Sequence, residues 1–147
     1  MSFMESIRTV LSKYADFNGR ARRSEYWWYM LAYVVVVLVL EAIFIFPALG
    51  QMTAAQTENP GAVAETPPMM VVGYVILLIV TLGLLLPSLA VTIRRLHDSD
   101  KSGFFFLLGF IPFVGGIIVL VLTLLPGTPG PNRFGPDPKA AQVPAQA

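Results

Sequence analysis

Three unbroken apolar stretches govern what this chain can fold into: about residues 26–49, 69–93 and 104–125. A water-facing helix alternates apolar and polar residues every three or four positions, and these stretches do not. Each reaches the roughly 20 residues that a helix rising about 1.5 Å per residue needs to cross a hydrocarbon layer of about 30 Å. Composition agrees: 55% of the 147 residues are hydrophobic and 13% are charged, against about 25% charged in an ordinary soluble domain. The chain reads as an all-α membrane protein with about three transmembrane helices, the third kinked or re-entrant. A single integral-membrane domain is expected over 1–138, followed by a disordered tail at 139–147. The first stretch is too long, and lies too far from Met1, for the core of a cleaved signal peptide.

Orientation follows from the flanking cations. Residues 1–25 carry Arg8, Lys13, Arg20, Arg22 and Arg23, and the connection 94–102 carries Arg94, Arg95 and Lys101. The connection 51–68 has no Lys or Arg, only Glu58 and Glu65, and is rich in small polar residues and proline. A cytoplasmic N-terminus and a flexible external loop at 51–68 are expected. The third stretch is broken in its middle by Pro112, which has no N–H to donate, and by Gly115-Gly116. A single kinked pass is the expected form. The alternative is a hairpin of two short arms, for which Arg133 and Lys139 would bring the tail back inside.

Ahead of the first stretch, Phe3, Ile7, Val10, Leu11 and Tyr14 follow helical spacing, with Arg8 and Lys13 among the polar positions. An amphipathic arm at 3–14 is expected, lying on the headgroup boundary or packed on the protein's own loops. Asn18-Gly19 marks a turn, and Arg20, Arg22, Arg23 and Glu25 follow immediately before the aromatic anchor Tyr26-Trp27-Trp28-Tyr29. These arginines serve positive-inside topology and could also pair with lipid phosphates.

Three runs stand in order between the apolar blocks: Phe17-Asn18-Gly19-Arg20-Ala21-Arg22-Arg23-Ser24-Glu25-Tyr26-Trp27, Arg94-Arg95-Leu96-His97-Asp98 with Lys101-Ser102-Gly103, and Pro126-Gly127 through Asn132-Arg133-Phe134-Gly135-Pro136-Asp137-Pro138. Together they resemble the bacterial inner-membrane family called domain of unknown function 805, over nearly the whole chain. Phe104 and Phe105 stand where such sequences often have tryptophan. The resemblance implies a multi-pass inner-membrane protein and supplies no activity.

Arg94 and Asp98 share a helix face as an i,i+4 pair where the second stretch ends. His97 is the only histidine, and no serine or cysteine nucleophile has a defined place near it, so no catalytic residue is assigned. His97, Asp98 and Asp100 fall short of a metal set, and cysteine is absent, so no metal or cofactor is expected. The expectation is a polar network in which Arg20, Arg22, Arg23, Arg94 and Arg95 face Glu25, His97, Asp98 and Asp100 across one cytoplasmic surface, with Arg133 and Asp137 joining if the tail returns. Glu41 lies about 21 Å along a helix from Trp27, still at membrane depth, where a carboxylate is costly unless protonated, bonded to Thr81 or a carbonyl, or wet. Pro87 and Ser88 predict a kink in the second span.

These features point to a non-enzymatic inner-membrane protein whose basic surface, Arg20, Arg22, Arg23, Arg94 and Arg95, contacts anionic lipid or a membrane partner. The partners expected are membrane lipids and a second copy or another membrane protein. With a formal net charge of +1, no nucleic acid is expected. Two other readings follow from single features: a subunit of a small oligomeric transporter or channel, through Glu41, and a lipid-acting membrane enzyme, through His97 and Asp98.

Overall fold

The computed structural model describes residues 1–61, 63 and 65–140. The described residues form helices and turns, with one isolated bridge at Asn132 and Gly135. The chain divides into two compact units: Met1–Met30 with Leu86–Ala147, and Leu31–Leu85.

In the first unit, α1 (Phe3–Ser12) begins with a reciprocal cap. The Ser2 hydroxyl accepts from the Glu5 amide at 3.3 Å, and the Glu5 carboxylate accepts from the Ser2 amide at 3.0 Å, which satisfies two amides that a helix start leaves unpaired. Ser6 and Val10 turn inward, and Val10 joins Ala21, Tyr26, Tyr29 and Val91 in the core. The chain then turns at Asn18-Gly19, where Asp16 accepts from the Asn18 amide at 3.0 Å and Gly19 takes φ +79°.

The apolar helix expected over 26–49 is longer than its hydrophobic stretch. It runs through α2 (Arg23–Leu40), a π turn (Glu41–Ile45) and α3 (Phe46–Glu58). Pro47 explains the π turn. Its ring would strike the carbonyl four residues back, and the helix widens just before it, with the Phe46 amide reaching the Glu41 carbonyl. Residues 51–58, read from composition as loop, are helical, and Asn59 ends the helix. The expected loop takes in Ala62 and Ala64, which lie outside the described residues. Returning through α4 (Pro68–Asp98), the chain places Gly73 against Phe44 and Ile45, where an added Cβ would lie 2.5 Å from Phe44 Cβ. Pro87 is inside α4, and beside it the Ser88 hydroxyl meets the Tyr29 hydroxyl at 3.0 Å.

The third stretch, expected as one kinked pass or a hairpin, is divided into two arms. A 3-10 helix (Gly103–Phe110), capped by Ser102, is followed by a turn at 111–114 and by α5 (Gly115–Leu124). The two arms rise about 16 and 15 Å, each about half of a hydrocarbon layer. They fold back on each other: an added Cβ on Gly115 would lie 2.2 Å from the Leu108 carbonyl oxygen, and one on Gly109 would lie 3.5 Å from Val119. Phe113 forms the turn with φ +67° and is 99% exposed. Both ends of this hairpin lie at the C-terminal end of α4, Gly103 against Ile93 and Thr123 against Arg95. Within the tail expected to be disordered, Lys139 and Ala140 close a turn on Asp137; residues 141–147 lie outside the described residues.

Candidate functional site

Around the C-terminal end of α4, five buried charged residues come together: Arg20, Glu25, Arg94, Arg95 and Asp98. Two adjacent arginines organise them, because neighbouring residues on a helix point about 100° apart and reach different elements. Arg94 reaches the end of α1. Its Nη1 donates to the carbonyls of Asp16 at 2.8 Å and Lys13 at 3.3 Å, while Nη2 pairs with Glu25 at 3.1 Å. Arg95 reaches the end of α5, where Nε donates to the Thr123 carbonyl at 2.9 Å and Nη2 to that of Leu125. The last carbonyls of a helix have no intrahelical partner and carry the negative end of its dipole, so a guanidinium there replaces lost hydration.

Arg20 closes the arrangement from the N-terminal side. Its Nε donates to Asp98 Oδ1 at 3.0 Å, and its Nη groups donate to the carbonyls of Thr128 and Gly130, both at 2.6 Å. Asp98 Oδ2 accepts from Arg95. Three guanidinium groups are thus buried with two carboxylates, and backbone carbonyls take up the other donors save Arg94 Nε, which is buried with no partner among the described residues. The polypeptide crosses this cluster closely: an added Cβ on Gly127 would lie 2.2 Å from Asp98 Oδ2. Thr128 donates its amide to the Asp98 carbonyl at 2.8 Å, and Asn132 donates to the His97 carbonyl at 2.9 Å.

The expected pairing is corrected in two respects. Arg94 does not pair with Asp98 four residues on, because Arg20 and Arg95 occupy both Asp98 oxygens and Arg94 turns toward Glu25. Arg20, Arg94 and Arg95 are buried, so they form an interior clasp rather than a lipid-facing surface. Asp100 pairs with Arg133, at 3.2 Å, in an exposed bridge. Arg22 donates to the Pro138 carbonyl, and Arg23 stands exposed at the start of α2. Asp137 receives the amides of Lys139 at 2.9 Å and Gly130 at 3.2 Å. These two bonds, that to Lys139 foremost, hold its carboxyl below the ordinary aspartate range.

His97 stacks on Phe134 with centroids 3.8 Å apart and planes 4° from parallel. Its Nδ1 faces the Gly19 carbonyl at 3.2 Å, and Asp98 turns to the arginines, so the two do not form a His–Asp couple. Glu41 opens the π turn, half-exposed, and no bond to Thr81 or other side-chain partner is formed among the described residues. Sequence reasoning missed the carbonyls of Asp16, Thr123, Thr128 and Gly130, because backbone acceptors leave no trace in residue type.

The family described as protein of unknown function, DUF805, matches residues 14–136, which takes in the arm's turn, α4, the hairpin and the clasp. The chain belongs to the DUF805 family. This DUF805 protein is 38% identical over 136 residues to the inner membrane protein YhaH of Escherichia coli (strain K12), an alignment covering 92% of this chain and 98% of YhaH. It is equally identical, 38% over 136 residues, to the inner membrane protein YhaI of the same strain, with 92% and 97% covered. No solved structure matches it. Arg20, Glu25, Arg94, Arg95 and Asp98, which hold the DUF805 clasp together, all lie inside the matched region.

Proposed function

We propose that this DUF805 protein is a non-enzymatic, two-span inner-membrane protein with both termini in the cytoplasm, whose arm binds the anionic surface of the cytoplasmic leaflet. Its relatives YhaH and YhaI are named inner membrane proteins, and two helices here, Arg23–Glu58 and Pro68–Asp98, are long and apolar enough to cross. The return of the hairpin and of residues 126–138 to the end of α4, where the N-terminal segment also packs, supports placing both termini on one side. The cations of that region support the cytoplasmic side.

The observation that carries the lipid reading is the three-strip surface of α1. At about 100° per residue, Ser6 and Val10 form a strip buried in the protein. Phe3, Met4, Ile7 and Leu11 form the next, and three of the four are exposed. Glu5, Arg8, Thr9 and Ser12 form the third, and Arg8 and Lys13 are exposed. A helix with a protein strip, an apolar strip and a polar strip, with the cations Arg8 and Lys13 exposed, fits the edge where protein, headgroups and water meet. Phe3 extends the apolar strip to Trp28 by an edge-to-face contact at 5.8 Å. The clasp fixes the end of α1 through Arg94 and so sets the angle at which the arm meets lipid.

The chain has no cysteine, so single-cysteine labelling is clean. An environment-sensitive dye at Leu11→Cys should report an apolar setting in vesicles and be quenched by lipid-borne quenchers, while the same dye at Glu5→Cys stays water-like. Replacing Arg8 and Lys13 by Glu should weaken the Leu11 signal in phosphatidylglycerol-containing vesicles and leave it unchanged in neutral ones. Equal water exposure at both positions would overturn the reading.

A further inference from the structure

Where the hairpin leaves α4, a cavity of about 380 Å³ opens between Phe17, Ile93, His97, Ser102, Phe104 and Phe134. Its walls are aromatic and aliphatic, and its polar groups are few. Because His97 Nδ1 faces a carbonyl oxygen, which only accepts, that nitrogen carries the proton. A neutral imidazole then leaves Nε2 as an acceptor, and it has no partner among the described residues. Nε2 points toward the cavity's Gly103 side: an added Cβ there would lie 3.3 Å from it. The ring cannot rotate away, since Phe134 stacks on one face and Gly19 holds Nδ1. Ser102 supplies the opposite chemistry. Its oxygen accepts from the Phe104 amide at 3.4 Å, which leaves its O–H to donate.

An acceptor and a donor lining one apolar cavity match a group that both donates and accepts, and an alcohol does so. A phosphate oxygen does not, because it would face the lone pair of Nε2, and the nearby Arg133 is engaged with Asp100. Phe104, which lines the cavity, is 77% exposed at the root of the apolar hairpin. Its volume is at the lower end for small-molecule sites, room for the polar end and upper chain of a lipid and not for the whole. We infer that this cavity binds the hydroxyl of a membrane lipid between His97 and Ser102, with the adjoining apolar part against Phe17, Phe104 and Phe134. The inference rests on the proposed topology, which puts the hairpin in the cytoplasmic leaflet. Two lipids present that hydroxyl, diacylglycerol at its free glycerol oxygen and phosphatidylglycerol at its headgroup.

The test uses the full chain in nanodiscs of phosphatidylcholine, a lipid with no hydrogen-bond donor. Photoreactive diacylglycerol, phosphatidylglycerol or phosphatidylcholine is added, and labelled peptides are identified by mass spectrometry. Labelling around Phe17 and Phe104 should be several-fold higher with one or both hydroxyl lipids than with phosphatidylcholine, and which of the two labels names the source. His97→Phe, which keeps a ring to stack on Phe134 and removes Nε2, should lower that labelling about five-fold, the worth of one net hydrogen bond. Ser102→Ala should lower it by a similar factor. The ¹⁵N shift of His97 Nε2 in the unaltered protein should move as hydroxyl lipid is titrated, a readout independent of how well the variants fold. Equal labelling by all three lipids, or an unmoved shift, overturns the site. Phosphatidylcholine labelling at the hairpin turn around Phe113 separates the two readings: its presence with an unlabelled cavity sinks the site alone, and its absence sinks the topology.

Discussion

Both carboxylate oxygens of Asp98 and its backbone carbonyl are engaged, by Arg20, Arg95 and Thr128. Asp98→Asn keeps the shape and removes the charge, leaving Arg20 and Arg95 buried without their shared carboxylate. Removing one partner of a buried pair costs about 3–5 kcal/mol, so this variant should lose most of its thermal stability in detergent. Arg133→Ala, which breaks a bridge whose side chains are 60% and 47% exposed, should cost less than about 1 kcal/mol in the same assay. Comparable losses would refute the clasp as the stabilising centre. Gly127→Ala brings a Cβ to 2.2 Å from Asp98 Oδ2 and should sharply lower the amount of folded protein; Gly116→Ala, with nothing within 4 Å and a helical backbone, should leave it unchanged or raise it. The charged members of the clasp were legible in the sequence, but their pairing was not. A four-residue spacing advertised Arg94 with Asp98, whereas the partner of Arg94 lies 69 positions away.

Elements differ in how much of themselves their residues reveal. The arm was legible because its apolar period is helical; the capping box of Ser2 and Glu5 that starts it emerged only with the structure. The end of α3 was not, since residues 51–58 are small and polar yet continue a helix already nucleated by the apolar residues before them. For the third stretch, a kinked span and a hairpin have the same composition. The choice between them rests on the backbone approach that Gly115 permits and on Arg95 drawing Thr123 and Leu125 back to α4. A reporter active only outside the inner membrane, fused after Ala147, should be inactive, and the same reporter placed after Asn59 should be active. Activity after Ala147 would restore the single kinked pass.

At the scale of the whole chain, the first unit is assembled from both ends of the sequence, Met1–Met30 and Leu86–Ala147. Removing residues 126–140 would take away the carbonyls of Thr128, Gly130 and Pro138 that receive Arg20 and Arg22. The truncated protein should still insert, because its apolar helices are intact, but should run as an aggregate on size exclusion and digest at the N-terminal arm under limited trypsin. A monodisperse, protease-resistant product would show that the N-terminal arginines need no tail. The bonds of Arg20 to Thr128 and Gly130 join residues 108 and 110 positions apart, which gives the clasp a timetable. While the chain is being made, Arg20 emerges more than a hundred residues ahead of its acceptors. On the proposed topology it first acts as a free charge that keeps the N-terminus from crossing, and only once Thr128 and Gly130 have been made is it withdrawn into the interior. The retention signal is consumed by the fold it directed, so the finished protein hides part of the charge that oriented it.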